Sequence, residues 1–300
     1  MIKKIFVYST IVIMGLMTSC FGLFSCIEGV GDIVVETREV SDFYGVTNSG
    51  SYDVYITQAD TFSLKIEAQE NLLQVIETYN SGGTLLIKTR EFQCIRSSSP
   101  VEIHITMPDI EQLNLTGSGM IYVPSIEGEE VELALTGSGT LDVDSVYASE
   151  FTVRHSSSGH MNMNLIQTGI GDIRLSGSGE IDFGQMDAAE LQIRHSSSGT
   201  IHGGIYNAVS GDIRLSGSGR LVLDGDCETM GTSHTSSGRL DVLDVISTDV
   251  ECHASGSGNT YVHADGLLDV TILGSGDVIY AGSPEEIIYR ITGSGNVRPY

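Results

Sequence analysis

Ten Gly/Ser triplets recur along this chain at almost constant spacing. Their closing glycines are Gly119, Gly139, Gly159, Gly179, Gly199, Gly219, Gly238, Gly258, Gly276 and Gly295, set 20 residues apart five times and then 19, 20, 18 and 19 apart. The segment GDIRLSGSG occurs twice without change, at Gly171–Gly179 and Gly211–Gly219. A period of this kind confines a chain to architectures in which one small unit is stacked on the next.

Each beat carries its own alternation. Leu113/Leu115, Leu133/Leu135, Ile173/Leu175 and Ile213/Leu215 precede the closing glycine, and Ile121/Val123, Leu141/Val143, Ile181/Phe183 and Leu221/Leu223 follow it. A period of two on both sides of a Gly-rich corner describes two short strands, each with one buried face. Polar connections such as GQMDAAE (Gly184–Glu190) return the chain to the next strand. One such unit cannot bury its apolar side chains, but stacked units share a continuous core, and ten rungs at about 4.8 Å span about 45–50 Å. The fold predicted is all-β: a single-stranded parallel β-helix, or β-solenoid, with rungs of about 20 residues. An antiparallel sandwich also has short strands and frequent turns. It has no need, however, for the same Ser and Gly at the same phase ten times. Composition agrees, with 36 Gly, only 5 Pro, no Trp and 40% hydrophobic residues.

Residues 111–300 form the regular solenoid in this reading, continuous with a less regular N-terminal β cap over residues 33–110. Ser49–Gln58, Thr61–Ala68, Gly83–Thr89 and Val101–Pro108 read as strands, and Glu70–Thr78 as one short helix. Ser49–Asp53 echoes the later Gly-Ser motif, so this segment is expected to supply the first turns and cover the open edge. At the other end, Pro299 limits further strand pairing.

The first residues read as a secretory leader over 1–19, with Lys3 and Lys4 ahead of an apolar run, Ile5–Met17. Both MTSC (Met17–Cys20) and LFSC (Leu23–Cys26) resemble the bacterial lipobox, whose cysteine takes the lipid. Cys20 is the expected attachment site, with Cys26 the alternative, and residues 20–32 form the lipidated linker. An apolar run through Phe24 of roughly 20 residues also suits an uncleaved anchor. Either way the chain is exported and tethered to the cell envelope. With Cys20 lipidated, Cys26, Cys94, Cys227 and Cys252 remain, and a Cys26–Cys94 bridge would pin the N-terminal strand. Cys227 and Cys252 differ in repeat register, and no Cys/His spacing suggests zinc. A net charge of −24 repels phosphate backbones and anionic membrane faces, which argues against nucleic acid as a partner.

The stretch FYGVTNSGSYDVYITQADTFSLKIEAQENLLQVIE (Phe43–Glu77), followed by serial TGSG and SGSG beats, resembles the bacterial family described as putative auto-transporter adhesin, head GIN domain. The resemblance covers nearly the whole mature chain. It implies a β-helical fold and an exported, lipoprotein-like setting in a Gram-negative bacterium, with the lipid in the outer membrane. It brings no catalytic residues. Tyr52 and the Ser-Ser-Gly beats stand where the family more often has Gly, which bears on local turn shape.

Four features are candidates for chemistry. His155, His195 and His234 occupy a slot otherwise held by Leu, Ile or Ala, and each is coupled to a Ser (Ser157, Ser197, Ser236) where the other beats have Gly. A buried His needs a partner, and the nearby hydroxyl is expected to supply it. Alternate beats set these histidines about 9–10 Å apart along the stack, too far for one metal ion. Repeated Ser and His offer no unique third group for a hydrolase triad. The serines preceding each closing glycine (Ser118, Ser138, Ser158, Ser178, Ser198, Ser218, Ser237, Ser257, Ser275 and Ser294) form a corner ladder, or alternatively a flat hydroxylated binding face. Arg154, Arg174, Arg194 and Arg214 face outward on successive rungs; they are either an ion-pair ladder with Asp172 and Asp212 or a strip for an acidic glycan or carboxylate-bearing partner. Calcium-binding nonapeptide repeats have the wrong period. The expectation is therefore a non-catalytic, lipid-anchored adhesive solenoid without cofactor or resident metal, meeting a surface glycan or extracellular protein. A polysaccharide lyase or glycosidase and a purely structural envelope component are the alternatives.

Overall fold

Residues one repeat apart lie side by side in parallel strands. Met120, Thr140, His160, Glu180, Thr200, Arg220 and Arg239 form one such row. The computed structural model describes residues 25–300, so the leader and Cys20 lie outside the described residues. The expected β-solenoid is present, with one difference in the rung. The segments taken as polar connections are strand as well, and each central rung is one bent strand, such as Thr140–His155, His160–Leu175, Glu180–His195 and Thr200–Leu215. Parallel stacking explains this, because the backbone groups of each connection find partners in the rungs on either side.

The bends are visible in the burial. In Thr140–His155 the inward residues are Leu141, Val143, Val146, Phe151, Val153 and His155. Alternation slips once after Val143 and again before Phe151, so the chain turns there and closes the rung around its core. Each buried aliphatic contributes about 1.5–3 kcal/mol. Departures from the twenty-residue beat are absorbed in the same connections, where the register shifts between Ile205 and Ala208 and between Val222 and Asp224. Asn207 (φ 56°) and Gly225 (φ 117°) take left-handed backbone there.

At the corner the chain runs so close to its neighbour that a side chain does not fit. A Cβ on Gly137 would lie 1.8 Å from the Gly117 carbonyl oxygen. This contact is the physical reason for the glycine beat.

The N-terminal segment does supply first rungs and a cap, and its strands do not stack in chain order. Gly45–Asn48 and Asp53–Gln58 form a rung stacked parallel on Gln112–Leu115 and Met120–Leu135. Its corner, Ser49–Tyr52, lies under Thr116–Gly119 as the motif implies. The later strands Thr84–Thr89 and Glu102–Met107 then return beneath it, again parallel. Antiparallel pairing begins only outside these, where Ser63–Gln69 and Ile76–Ser81 cover the edge and Ile33–Arg38 adds one more strand. Glu70–Val75 forms successive turns rather than the expected helix; Leu72 N–H bonds the Gln69 carbonyl and Val75 N–H the Leu72 carbonyl, and Ile76 already starts a strand. Among the described residues, no helix is long and apolar enough to cross a membrane.

Ser25–Glu28 pairs in parallel with Gln93–Arg96, and a Cys26–Cys94 disulfide joins the two strands. That bridge is the one anticipated from the sequence. A Cys26 sulfur engaged in this bridge is not a thiol open to alkylation. Cys227 and Cys252 are buried free thiols, and burial raises both to about 11.

Candidate functional site

The four arginines of the candidate strip fall on adjacent rungs. Arg154, Arg174, Arg194 and Arg214 are direct neighbours in the parallel ladder, all outward and partly exposed. Four adjacent guanidinium groups repel unless paired, and each has a partner in the outward row two residues earlier. Arg154 binds Glu132 at 2.7 Å, Arg174 binds Asp172, Arg194 bonds the Gln192 side chain at 2.7 Å and lies 3.7 Å from Asp172, and Arg214 binds Asp212 at 2.9 Å. Exposed pairs of this type are worth about 0–1 kcal/mol each, so a ligand can exchange for them at small cost.

The structure adds a second wall that the arginines alone do not reveal. Beyond the inward row, Ser156, Ser176, Ser196 and Ser216 point outward parallel to the arginines, with Thr136 and Thr235 at the ends. Between the two columns runs a groove of about 660 Å³. One wall donates from guanidinium groups, and the other offers hydroxyls able to donate and accept. The same twenty-residue period that marks the arginines marks these hydroxyls, and that was the signal available in the sequence. The corner serines continue the hydroxylated surface: all ten of the predicted column are exposed, with Ser178 and Ser198 Oγ 3.3 Å apart and Ser275 and Ser294 Oγ 3.2 Å apart.

The histidine side chains are buried in the core, and His155 and His195 lie in the floor of the groove without opening into it. His155, His195 and His234 are each about 1% exposed. His155 and His195 are separated by Leu175, and His195 and His234 by Leu215, which keeps the rings two rungs apart. The expected Ser partner is found in one of three cases, as a long contact: Ser157 Oγ lies 3.5 Å from His155 Nδ1, while His195 and His234 have no such contact with Ser197 and Ser236. Ser157, Ser197 and Ser236 donate to the carbonyls of Gly137, Gly177 and Gly217 in the preceding rung. The corner backbone directs the hydroxyl chiefly along the stack. His155 Nε2 meets its own Gly159 carbonyl at 2.8 Å, while His234 Nδ1 meets Thr260 Oγ1 at 3.0 Å. Neither ring nitrogen of His195 has a protein partner, and burial lowers its pKa to about 4. Burial lowers the other two as well.

Two further polar clusters lie outside the groove, the first adjoining it through Asp212. Around Gly231 a depression of about 530 Å³ includes Glu190, Asp212, Asp249, Glu251 and Asp269. Four of these carboxylates hold structural contacts: Asp212 with Arg214, Asp249 with Leu267 N–H, Glu251 with His253 and Asp269 with Arg290. On the cap, Glu67, Glu102 and His104 bring potential metal-ligand atoms within 4.8 Å of one another. Glu67 and Glu102 are cross-strand partners, and His104 stacks on Tyr55. The sequence reading missed this group because its members are joined by antiparallel pairing, not by the repeat.

The family described as putative auto-transporter adhesin, head GIN domain, matches residues 42–202 and again 167–284. Among solved structures, a putative adhesin from Parabacteroides distasonis is similar over 92% of this chain and 100% of its own, with TM-score 0.56 and 17% identity. A putative lipid binding protein from the same organism shows equal coverage and TM-score at 22% identity. A putative adhesin from Parabacteroides merdae covers 92% of this chain and 99% of its own, with TM-score 0.54 and 18% identity. At these identities the likeness is one of fold. A comparison with curated proteins finds no match.

Proposed function

The chain belongs to the putative auto-transporter adhesin, head GIN domain family, and from that premise we propose that it is an exported, lipid-anchored, non-catalytic binding protein of the cell envelope. The groove between the arginine and hydroxyl columns is its contact surface, and an extended acidic glycan is the ligand class that suits it. The observation that carries this reading is the convergence of two periodic columns on one groove. Guanidinium groups match carboxylates in a fixed geometry, and flanking hydroxyls match sugar hydroxyls. A periodic wall also suits a periodic polymer, since each rung repeats the same contacts. The chain would thus be displayed from its N-terminal end, with lipid on Cys20 in the outer membrane. The Cys26–Cys94 disulfide supports an oxidising compartment and favours Cys20 over Cys26 for the lipid.

The test is a glycan and matrix-protein array probed with the intact protein and with an Arg154/Arg174/Arg194/Arg214→Ala variant. Binding of an acidic glycan by the intact protein, lost in the variant, is the expected result. Equal binding by both removes the groove, and binding by neither removes the adhesive reading for those ligands. Turnover of an acidic polysaccharide would replace it with the lyase or glycosidase alternative. For that chemistry a free pair of carboxylates is needed, and the depression at Gly231 has most of its carboxylates tied up in structural contacts.

A further inference from the structure

The two ends of the solenoid are finished differently. The N-terminal end is covered by the antiparallel strands Ser63–Gln69, Ile76–Ser81 and Ile33–Arg38. The last described rung contains Glu286–Ile291 and Val297–Pro299, and each pairs only with the rung before it among the described residues. Ile287, Tyr289 and Ile291 stack on the fully buried Leu268, Val270 and Ile272, so they occupy core positions. They are nevertheless 38%, 62% and 38% exposed. An open edge of this kind is usually protected by Lys, Pro or a bulge. Val297–Pro299 has its Pro, which cannot donate to a further ladder. Glu286–Ile291 has neither Pro nor Lys.

The geometry points to a second copy of this chain as the occupant of that edge, paired tail to tail through an antiparallel Glu286–Ile291 ladder about a two-fold axis. Two independent features select this arrangement. Glu286 N–H and Thr292 N–H bond back to Gly266 and Ile272 in the preceding rung. By alternation, the N–H and C=O groups of Ile287, Tyr289 and Ile291 face the open edge. An antiparallel ladder therefore places Ile287 of one copy opposite Tyr289 of the other as a hydrogen-bonded pair, with both side chains on the core face.

The second feature is charge. In that register Glu286 faces Arg290 of the partner copy, and Arg290 faces its Glu286, while Ile288 faces its own counterpart on the axis. Sliding the ladder two residues either way sets Ile288 against Arg290 or Glu286 and loses both charge pairs. Sliding by one residue turns the core face to solvent. The strand is thus self-complementary in a single register, as a two-fold interface requires. Arg290 is already 2.8 Å from Asp269 on its own chain, and the partner's carboxylate would complete a shared pair. Joining the two ends buries the exposed core residues and makes one continuous solenoid with its anchored ends directed apart.

The experiment uses the full chain, produced with its leader and extracted in detergent. Ile288→Cys should give a disulfide-linked dimer under mild oxidation, whereas Leu273→Cys, on a more exposed corner residue near the same end, should not. Background is low because Cys227 and Cys252 are buried and Cys26 is bonded to Cys94. In sedimentation velocity, Glu286→Arg or Arg290→Glu should each weaken association about tenfold, from lost and reversed cross-strand pairs. The double swap Glu286→Arg/Arg290→Glu restores both cross-strand pairs and should recover most of the association, short of the original strength because the glutamate at position 290 then lies beside Asp269. A monomer throughout, equal cross-linking at both cysteines, or a double swap no better than the single changes would each overturn the proposal. Capture of a foreign extended peptide by a persistently monomeric protein would do the same and assign the edge to another partner.

Discussion

His155 closes its own corner: its Nε2 lies 2.8 Å from the carbonyl oxygen of Gly159, four residues further on. Asn48 does the same in the first rung, donating from its side-chain amide to the Tyr52 carbonyl at 2.9 Å while accepting from Gly50 N–H. His155 and Asn48 are thus accommodated by the corner that follows them, while His234 in the same column uses Thr260 instead. His195 occupies the same column without such a bond.

That difference sets a pH dependence. The unfolded imidazole titrates near 6.5, and burial lowers the folded one to about 4. Above pH 6.5 neither state is protonated and the His195 contribution is fully present. Between 6.5 and 4 the unfolded chain binds more protons, so stability falls as pH falls, by about 3 kcal/mol in all. His195→Leu, which restores the commoner residue of that column, should flatten the drop in Tm between pH 7 and 4.5. Identical pH slopes for the two proteins would remove this account.

Glycine requirements should differ sharply within the repeat. A Cβ at Gly179 would lie 2.3 Å from both the Gly159 carbonyl oxygen and His155 Nε2, whereas one at Gly231 would meet only the Gly211 oxygen, at 3.8 Å. Gly179→Ala should cost more than about 3 kcal/mol. Gly231→Ala should be neutral or stabilise by up to about 1 kcal/mol, by restricting the unfolded chain. Denaturant melts of the two variants check the contrast, and a comparable loss in both would contradict it.

The Cys26–Cys94 bridge closes a 68-residue separation. The loop-entropy relation gives about 4 kcal/mol for its contribution to the cap, as an upper figure. Cys94→Ser should make Ser25–Glu28 and its neighbours sensitive to protease while the rungs beyond Gln112 stay protected. Limited proteolysis with mass mapping reads this directly; uniform loss of protection would mean that the cap and the rungs unfold together.

Asp172 contacts two guanidinium groups, those of Arg174 and Arg194. Asp172→Asn should strengthen binding of an acidic polysaccharide several-fold, with a salt dependence steeper than that of the original protein. Thermal stability should change by less than about 1 kcal/mol. Unchanged or weaker binding would show that these arginines serve only as a structural ladder.

Much of the architecture is legible because a solenoid puts the same residue into the same environment on every turn. The glycine beat, the inward Ile/Leu pairs and the outward arginines all follow from one period. The cap is less legible. Ser63–Gln69 and Thr84–Thr89 alternate alike, yet Ser63–Gln69 pairs antiparallel with Glu102–Met107 while Thr84–Thr89 pairs parallel with Gly45–Asn48. Alternation marks a half-buried strand without naming its partner. The His–Ser coupling shows the same limit: the pairing is readable, but the corner backbone aims Ser157 at Gly137.

By itself, the sequence determined the repeat, the stacking direction and the residues that face inward. Those depend on spacing and on side-chain polarity, which local order carries. Only the tertiary structure decided that the arginine and hydroxyl columns share one groove, that Glu67, Glu102 and His104 meet on the cap, and that Ile287 and Tyr289 reach core positions left exposed. These relations depend on which strand lies beside which. Hydrogen-bond pairing between distant segments settles that, and no short stretch of chain encodes it.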